Sequence, residues 1–381
     1  MKAGIICAGD TEFEAFLKYL EKDRVSKKAM LEFHEAEIGG IPVTVLYSGV
    51  CRVNAALATQ ILIDRFGAEA VISAGTAGGM DESAGLFDTV VAERTAYHDV
   101  ADDILTDFHP WMKSVYFEAD VQLLEAAREY AQGTEDRILF GTAVTGEAFI
   151  GNKEREAIRK KYAPLSVDME SAGIAHVCYV NEIPFLSVRT VTDTPEQEGI
   201  EVFEKNCERA SAISAGITVG ILKTFVKKRE DSMEIIEVTA EKKKYLSLLL
   251  LADEQEDMID RYLERGTMYV LKDGGTVAEC VVTDETGGVL EIKNIAVAPA
   301  FERKGYGRAL IRFLEETYRG KYGILQVGTG DSPLTVPFYE SCGFVRSHCI
   351  RNFFTDHYNH PIWEGGVLLR DMVYFLSLIH I

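Results

Sequence analysis

Five polar clusters, each set where a short apolar run meets a helical stretch, constrain this chain more than any other feature. "AGDTEFE" follows the apolar run at residues 2–8, and "SAGTAGGM" closes a run that begins at 70. "TGEAFIGN" (145–152) follows the run at 138–144, "SVDMESAGIA" spans 166–175, and "SVRTVTDTPEQ" (187–197) closes the run at 184–191. Such short continuous runs read as buried strands. Between them lie helical stretches at 120–131, 152–161, 169–180 and 204–227, and at 52–66, where Val53, Ala56, Leu57 and Ile61 share a face and Gly67 serves as cap. A first helix is expected over 12–22 and a hairpin around Gly39–Gly40. Strands alternating with helices predict an α/β layered fold with a largely parallel or mixed central sheet. In open sheets of that kind ligands bind beyond the strand ends, where these clusters sit.

A length of 381 residues points to two domains. Composition shifts at "KKREDSMEI" (227–235), and beyond it two helical patterns (241–251 and 253–265) precede meandering strands with Gly-bearing turns, an α+β arrangement. The expected boundaries are 1–228 for the first domain, 229–235 for a linker and 236–376 for the second domain. Residues 377–381 are set aside as a tail of doubtful origin. A formal charge of −20 argues against a nucleic-acid partner. The longest apolar run, "YLSLLLLA", is shorter than the ~20 residues of a membrane span, and no leader pattern opens the chain, so a cytoplasmic protein without a membrane partner is expected. Seven cysteines without a CxxC pair and eight histidines without ligand spacing predict reduced thiols and no metal.

Taken together, "SAGTAGG", "TGEAFI", "VDMESAGIAHV" and "VRTVTD" resemble, in order and spacing, the 5′-methylthioadenosine/S-adenosylhomocysteine nucleosidases of the nucleoside phosphorylase superfamily, over roughly residues 1–226. The resemblance implies a three-layer α/β domain with a central mixed sheet that cleaves the bond between adenine and a 5-thioribose, with no cofactor. It implies that Asp193 protonates the leaving base, held by the Thr76 hydroxyl, and that Glu12 deprotonates the attacking water with help from Arg189. Glu170 would accept the ribose hydroxyls, Met169 would lie against the sugar, Phe149 would stack on the purine and the Ile150 backbone would read its edge. Glu14 competes with Glu12 for the role of base, because this chain has "AGDTE" where the family carries a run of acids. Asp168 is read as an acid at a helix N-terminus, and His98 as structural. Arg52 keeps a phosphorylase open as the alternative, and a nucleoside sensor without turnover is the other rival. A homodimer is implied, with "FHPW" (108–111) reaching a partner's pocket.

In the second half, "NIAVAPAFERKGYGRALIRFLEETYR" sets a strand, a Gly-bearing loop and an amphipathic helix in succession. Glycines there let backbone N–H groups at a helix start approach a pyrophosphate. With "PFYESCGF" (337–344), the pattern resembles the GNAT N-acetyltransferases over about 234–375. The resemblance implies an α+β acyltransferase domain using acetyl-CoA as co-substrate. Val297, Arg303, Lys304, Gly305, Tyr306, Gly307 and Arg308 would hold the cofactor, Tyr339 would protonate the departing thiolate, and Glu291 would serve as base toward an unidentified amine acceptor. Polyamines are one candidate, since an acidic surface attracts them.

Overall fold

The structure, a computed structural model, describes residues 1–150, 152–197, 199–302 and 304–379. Arg303, assigned above to the cofactor loop, lies outside the described residues. The chain forms two compact units, Met1–Glu230 and Asp231–Ile381.

The first unit runs β1 (Ala3–Cys7), α1 (Asp10–Leu17), β2 (Glu21–Lys28), β3 (Leu31–Ile38), β4 (Ile41–Tyr47), α2 (Arg52–Phe66) and β5 (Ala70–Gly79). It continues with β6 (Thr89–Tyr97), α3 (Asp102–Thr106), β7 (Phe117–Glu118), α4 (Val121–Gln132), β8 (Ile138–Thr145) and α5 (Asn152–Tyr162), then β9 (Ser166–Asp168), α6 (Ser171–Val180), β10 (Phe185–Asp193) and α7 (Ile200–Ser232). The sheet is mixed, in the order β10-β6-β8-β9-β5-β1-β4-β3-β2, with β7 on the side of β6. Because β10 pairs with β5 as well as with β6, the β10-β6-β8-β9-β5 portion closes on itself. That closure brings the ends of β5, β9 and β10 around one space.

Successive residues of β1 face opposite layers, as strand geometry requires. Ile5 packs with Phe13 and Phe16 of α1, Leu123 of α4 and Ile217 of α7, while Ile6 packs with Ala55 and Leu62 of α2 and Ala172 of α6. Gly67 takes φ +65 and caps α2, the left-handed ending its position predicts. The first helix is shorter than expected: it ends at Leu17, and Glu21–Lys28 is a strand. Seven of its eight residues are exposed, and it pairs only with β3, so its charged sequence carries no apolar period. α7 is, among the described residues, the one helix long and apolar enough to cross a membrane, yet Ala215, Ile217, Ile221, Leu222 and Phe225 lie in the core.

The second unit runs β11 (Glu234–Val238), α8 (Leu246–Ala252), α9 (Glu256–Leu263), β12 (Thr267–Lys272), β13 (Thr276–Glu285), β14 (Val289–Val297), α10 (Tyr306–Tyr318), β15 (Ile324–Gly330), α11 (Thr335–Ser341), β16 (Val345–Ile350), α12 (Phe353–His357), β17 (Trp363–Glu364), β18 (Val367–Leu368) and β19 (Met372–Leu378). Its main sheet has the order β11-β12-β13-β14-β15-β19-β16 and is antiparallel except between β14 and β15. α10 packs on one face, and α8 and α9 on the other. The stretch 229–235, expected as a linker, is folded: α7 continues to Ser232 and β11 begins at Glu234. Part of the supposed tail is also structural. Ser377 and Leu378 belong to β19, and Ile379 is buried in the α10-side core.

Candidate active site

Glu12, Thr76, Phe149, Ile150, Met169, Glu170, Arg189 and Asp193 all line one cavity of about 410 Å³, within the range of small-molecule pockets. Glu12 sits one turn into α1, right after β1, and is 5% exposed, whereas Glu14 points to solvent. Its Oε2 accepts from the Ala8 and Gly9 N–H groups at 2.7 and 3.2 Å, and its Oε1 from the Thr76 N–H and hydroxyl at 2.7 and 2.8 Å. A side chain at Gly75 would sit 2.3 Å from Glu12 Oε1, so the glycine in "SAGTAGG" is where the carboxylate lies. Thr76 therefore holds Glu12, not Asp193 as expected. Its hydroxyl points across β5 toward α1, and Asp193 takes its support elsewhere.

Arg189, 1% exposed on β10, forms the centre. Its Nη2 donates to Ser73 Oγ at 2.8 Å and its Nη1 to the Thr76 carbonyl at 3.3 Å. Three carboxylates face it: Glu12 at 3.7 Å, Asp168 at 3.5 Å and Glu170 at 3.6 Å. Burial lowers the hold of the guanidinium on its proton, but the three acids more than reverse that and push it up. One cation among three buried acids leaves an excess of negative charge. Burial, with Asp168 and Glu12 adding to it against Arg189 and the Cys51 N–H, pushes the Glu170 carboxyl up to about 7.

Asp168 acts at the helix N-terminus, as expected, and also faces Arg189. Its Oδ1 accepts from the Ser171 N–H at 3.1 Å, fastening the start of α6, and from Thr145 Oγ1 at 2.6 Å. Its Oδ2 is turned to Arg189, so it also belongs to the charge cluster. Glu170 Oε1 accepts the Cys51 N–H at 2.9 Å, which ties this acid to the entry of α2. The thin first turn of α6 has a packing cause: a side chain at Gly173 would meet the Arg52 backbone at 3.2 Å, and Ser171 Oγ lies 3.2 and 2.9 Å from Ser73 and Ser187 Oγ.

Asp193, in the same cavity lining, closes β10 just past an irregularity in its pairing with β5. Its Oδ1 accepts from Thr192 Oγ1 at 3.0 Å, and its Oδ2 lies 3.7 Å from Arg155 Nη2. Arg155 went unseen in the sequence. It lies in the charged stretch "NKEREAIRKK", with nothing to separate it from the exposed residues around it. Phe149, half exposed, and buried Ile150 form a wall next to it. Arg52 does not enter the cavity lining: its Nη groups contact both Asp99 oxygens at 2.8 and 3.1 Å, and its Nε donates to Glu147 at 2.6 Å.

In the second unit, β14 pairs with β15 only over Val289–Ile292, so the two strands part before Val297. Gly305, at φ +84, turns the chain into α10, and a side chain at Gly307 would meet Phe338 at 3.1 Å. Several nominated side chains are engaged elsewhere. Tyr306 is buried and donates to Asp273 at 2.6 Å, Arg308 donates to the Ser341 carbonyl at 2.7 Å, and Lys304 donates to the Ala300 carbonyl at 3.0 Å. Tyr339 is packed against Phe375, and burial raises its hold on the phenolic proton. Glu291 accepts from Lys293 at 2.7 Å and Gln326 at 2.9 Å, so both of its oxygens are occupied.

Comparison with known proteins matches this geometry. The phosphorylase superfamily profile covers residues 2–223, and a GNAT acetyltransferase domain profile covers residues 264–346. A 5′-methylthioadenosine/S-adenosylhomocysteine nucleosidase of Listeria monocytogenes is 34% identical over 237 residues, spanning 59% of this chain and all of the relative. One from Bacillus thuringiensis is 32% identical over 231 residues, 58% of this chain and 98% of the relative. Among solved structures, the Neisseria meningitidis nucleosidase in complex with methylthio-immucillin-A superposes with TM-score 0.54 at 29% identity, covering 58% of this chain and 99% of that one. The Colwellia psychrerythraea nucleosidase in complex with adenine gives 0.54 at 31%, covering 59% and 96%. The chain thus belongs to the phosphorylase superfamily, among the 5′-methylthioadenosine/S-adenosylhomocysteine nucleosidases, and carries a GNAT acetyltransferase domain behind that unit.

Proposed function

We propose that the first unit hydrolyses the N-glycosidic bond of 5′-methylthioadenosine and S-adenosylhomocysteine, releasing adenine and a 5-thioribose for methionine salvage. The observation that carries this reading is that Asp193 and Glu12 line the same cavity, with Arg189 and Glu170 in it beside them. Asp193 gives its proton to a purine ring nitrogen while the bond from that base to the anomeric carbon breaks and its electron pair leaves with the base. Water adds to the anomeric carbon and Glu12 takes the proton it sheds, the division of labour of an inverting glycosidase. Glu170 accepts the ribose hydroxyls.

Water rather than phosphate is favoured by charge. Three carboxylates surround Arg189, and Arg52, outside the cavity lining, is already paired with Asp99 and Glu147, which leaves Arg155 beside Asp193 as the other arginine of the lining. A phosphate dianion placed beside Arg189 would meet the excess negative charge of Glu12, Asp168 and Glu170. A homodimer is supported by exposed apolar side chains: Val53 and Leu57 on α2, Phe108 and Trp111 in the following loop region, and Tyr179 and Val180 at the end of α6. Seven free thiols support a cytoplasmic location.

For the second unit we infer acetyl transfer to an amine. The described residues fit coenzyme A through backbone: the edge of β14 beyond its pairing with β15, up to Val297, and the start of α10 after Gly305 present peptide groups. When bound, acetyl-CoA supplies the acetyl group as a thioester. Tyr339 keeps its proton available at its Oη. Glu291, as base, would have to exchange the bonds it accepts from Lys293 and Gln326 for the amine, and the charge of −20 supports a cationic acceptor such as a polyamine. The test is chromatographic: the purified chain is given methylthioadenosine, adenosylhomocysteine and inosine, then spermidine and a lysine peptide with acetyl-CoA. Adenine from the two thio-nucleosides is expected; turnover of inosine alone overturns the nucleosidase reading, turnover of peptide but not spermidine overturns the polyamine acceptor, and acetylation of neither overturns the acetyl transfer.

A further inference from the structure

We propose that Arg155 is a positioning residue for the leaving-base step, a guanidinium that stabilises the charge Asp193 acquires as it surrenders its proton to the purine. The proposal rests on the reading of the first unit as a nucleosidase.

Four observations carry it. Thr76, the residue expected to fix Asp193, spends both its N–H and its hydroxyl on Glu12. Arg155 is 3% exposed, and arginines are almost never buried unless paired. Its Nη1 donates to the Gly79 carbonyl at the end of β5, which anchors the guanidinium, and its Nη2 stands 3.7 Å from Asp193 Oδ2. It lines the cavity together with Phe149 and Ile150, the segment that leads directly into α5. The purine wall and the guanidinium are therefore carried by one continuous stretch of chain. Gly78 completes the niche: a side chain there would press on Asp193 Oδ2 at 3.3 Å.

The separation of 3.7 Å matters. It is longer than a hydrogen bond, so the guanidinium does not lock the acid, yet it is short enough for a strong Coulomb interaction in a buried site. Before transfer Asp193 holds the proton and Arg155 stands by a neutral carboxyl. As the proton moves to the purine nitrogen, the carboxyl becomes a carboxylate facing a cation already in place, without reorganisation at the moment of reaction. The electron pair of the breaking bond leaves with the protonated base. Arg155 contributes nothing to a leaving group that departs without a proton.

That asymmetry supplies the test. The full chain and its Arg155→Met and Arg155→Lys variants are assayed on two substrates, 5′-methylthioadenosine and the 4-nitrophenyl β-riboside of 5-methylthioribose, whose phenolate needs no acid. In Arg155→Met, adenine release falls about 10²-fold in kcat with KM little changed, while nitrophenolate release falls within about threefold. Arg155→Lys, which keeps the charge, recovers at least about tenfold of the loss on the adenosine substrate. A parallel loss on both substrates means a merely structural role and overturns the proposal, as does an undiminished rate on both. If Arg155→Met does not fold, Arg155→Gln takes its place and the same ratio decides. If the unsubstituted chain cleaves neither substrate, the nucleosidase reading falls and takes this one with it; if it cleaves both and the ratio stays fixed, only the role of Arg155 falls.

Discussion

The two units place their chemistry in different parts of the chain. In the first, it resides in side chains: Glu12, Asp168, Glu170, Arg189 and Asp193 are buried, held by named hydrogen bonds, and turned toward one cavity. In the second, the candidate cofactor site resides in backbone. The side chains of Tyr306, Arg308 and Lys304 are occupied within the domain, and among the described residues the parting of β14 from β15 and the turn at Gly305 are what is offered to a ligand. A side-chain site is fragile to changes of functional group, whereas a backbone site is fragile to changes of shape.

The largest effect that would sharpen this contrast is Glu12→Gln. It preserves size but removes the base, and adenine release should fall by at least about 10³-fold while nucleoside binding, read by calorimetry, persists. Loss of binding with no loss of kcat would place the base elsewhere. Next comes Gly75→Ala. A methyl 2.3 Å from Glu12 Oε1 must displace the carboxylate, and a displacement of that order costs about 10²-fold in kcat. In the second unit the corresponding change is one of shape: Gly305→Ala at φ +84 strains the turn by about 1–2 kcal/mol, and if the free turn relaxes out of that conformation, restoring it on binding weakens coenzyme A by about five- to thirtyfold in a titration. Arg308→Ala, by contrast, should leave coenzyme affinity within about threefold if the backbone reading holds.

The smallest effect concerns pH. Glu170 is pushed up to about 7 by burial first and by Asp168 and Glu12 next. The folded, empty site therefore holds a proton that the unfolded chain gives up near 4.5, so this group costs stability as pH rises from about 4.5 through about 7. Ribose binding has the opposite sign, because the ionised carboxylate accepts both hydroxyls. Nucleoside affinity should rise about threefold between pH 6.5 and 7.5, and free adenine, lacking the sugar, should not follow it. Adenine and nucleoside changing together would remove Glu170 from the sugar contact.

Much of the first site is legible in the sequence because strand ends fix position. A residue at the end of a buried strand has one place to go, which is why Asp193, Arg189 and Glu170 fall where the spacing puts them. The partner of Thr76 and the inward turn of Arg155 are not legible for the same reason in reverse. The direction of a hydroxyl across β5 depends on the packing of α1, and the inward turn of one arginine in a charged helix depends on its phase against Gly79. The strand at Glu21–Lys28 and the folded stretch at 229–235 escaped notice because edge strands and exposed helix ends carry charge, not apolar period. In the second unit the glycines are readable as loop geometry, whereas the bonds of Lys304 to Ala300 and of Arg308 to Ser341 depend on packing that the sequence does not show.

The central claim is that a protonated Asp193 and a water steered by Glu12 act on one nucleoside. The most direct test is adenine release from 5′-methylthioadenosine in phosphate-free buffer, with the purified chain and its Asp193→Asn variant side by side. The account predicts full turnover that added phosphate does not change, 5-methylthioribose as the sugar product, and near-complete loss in the variant. Adenine release that requires phosphate and yields the sugar 1-phosphate, or an Asp193→Asn protein as active as the original, would contradict it.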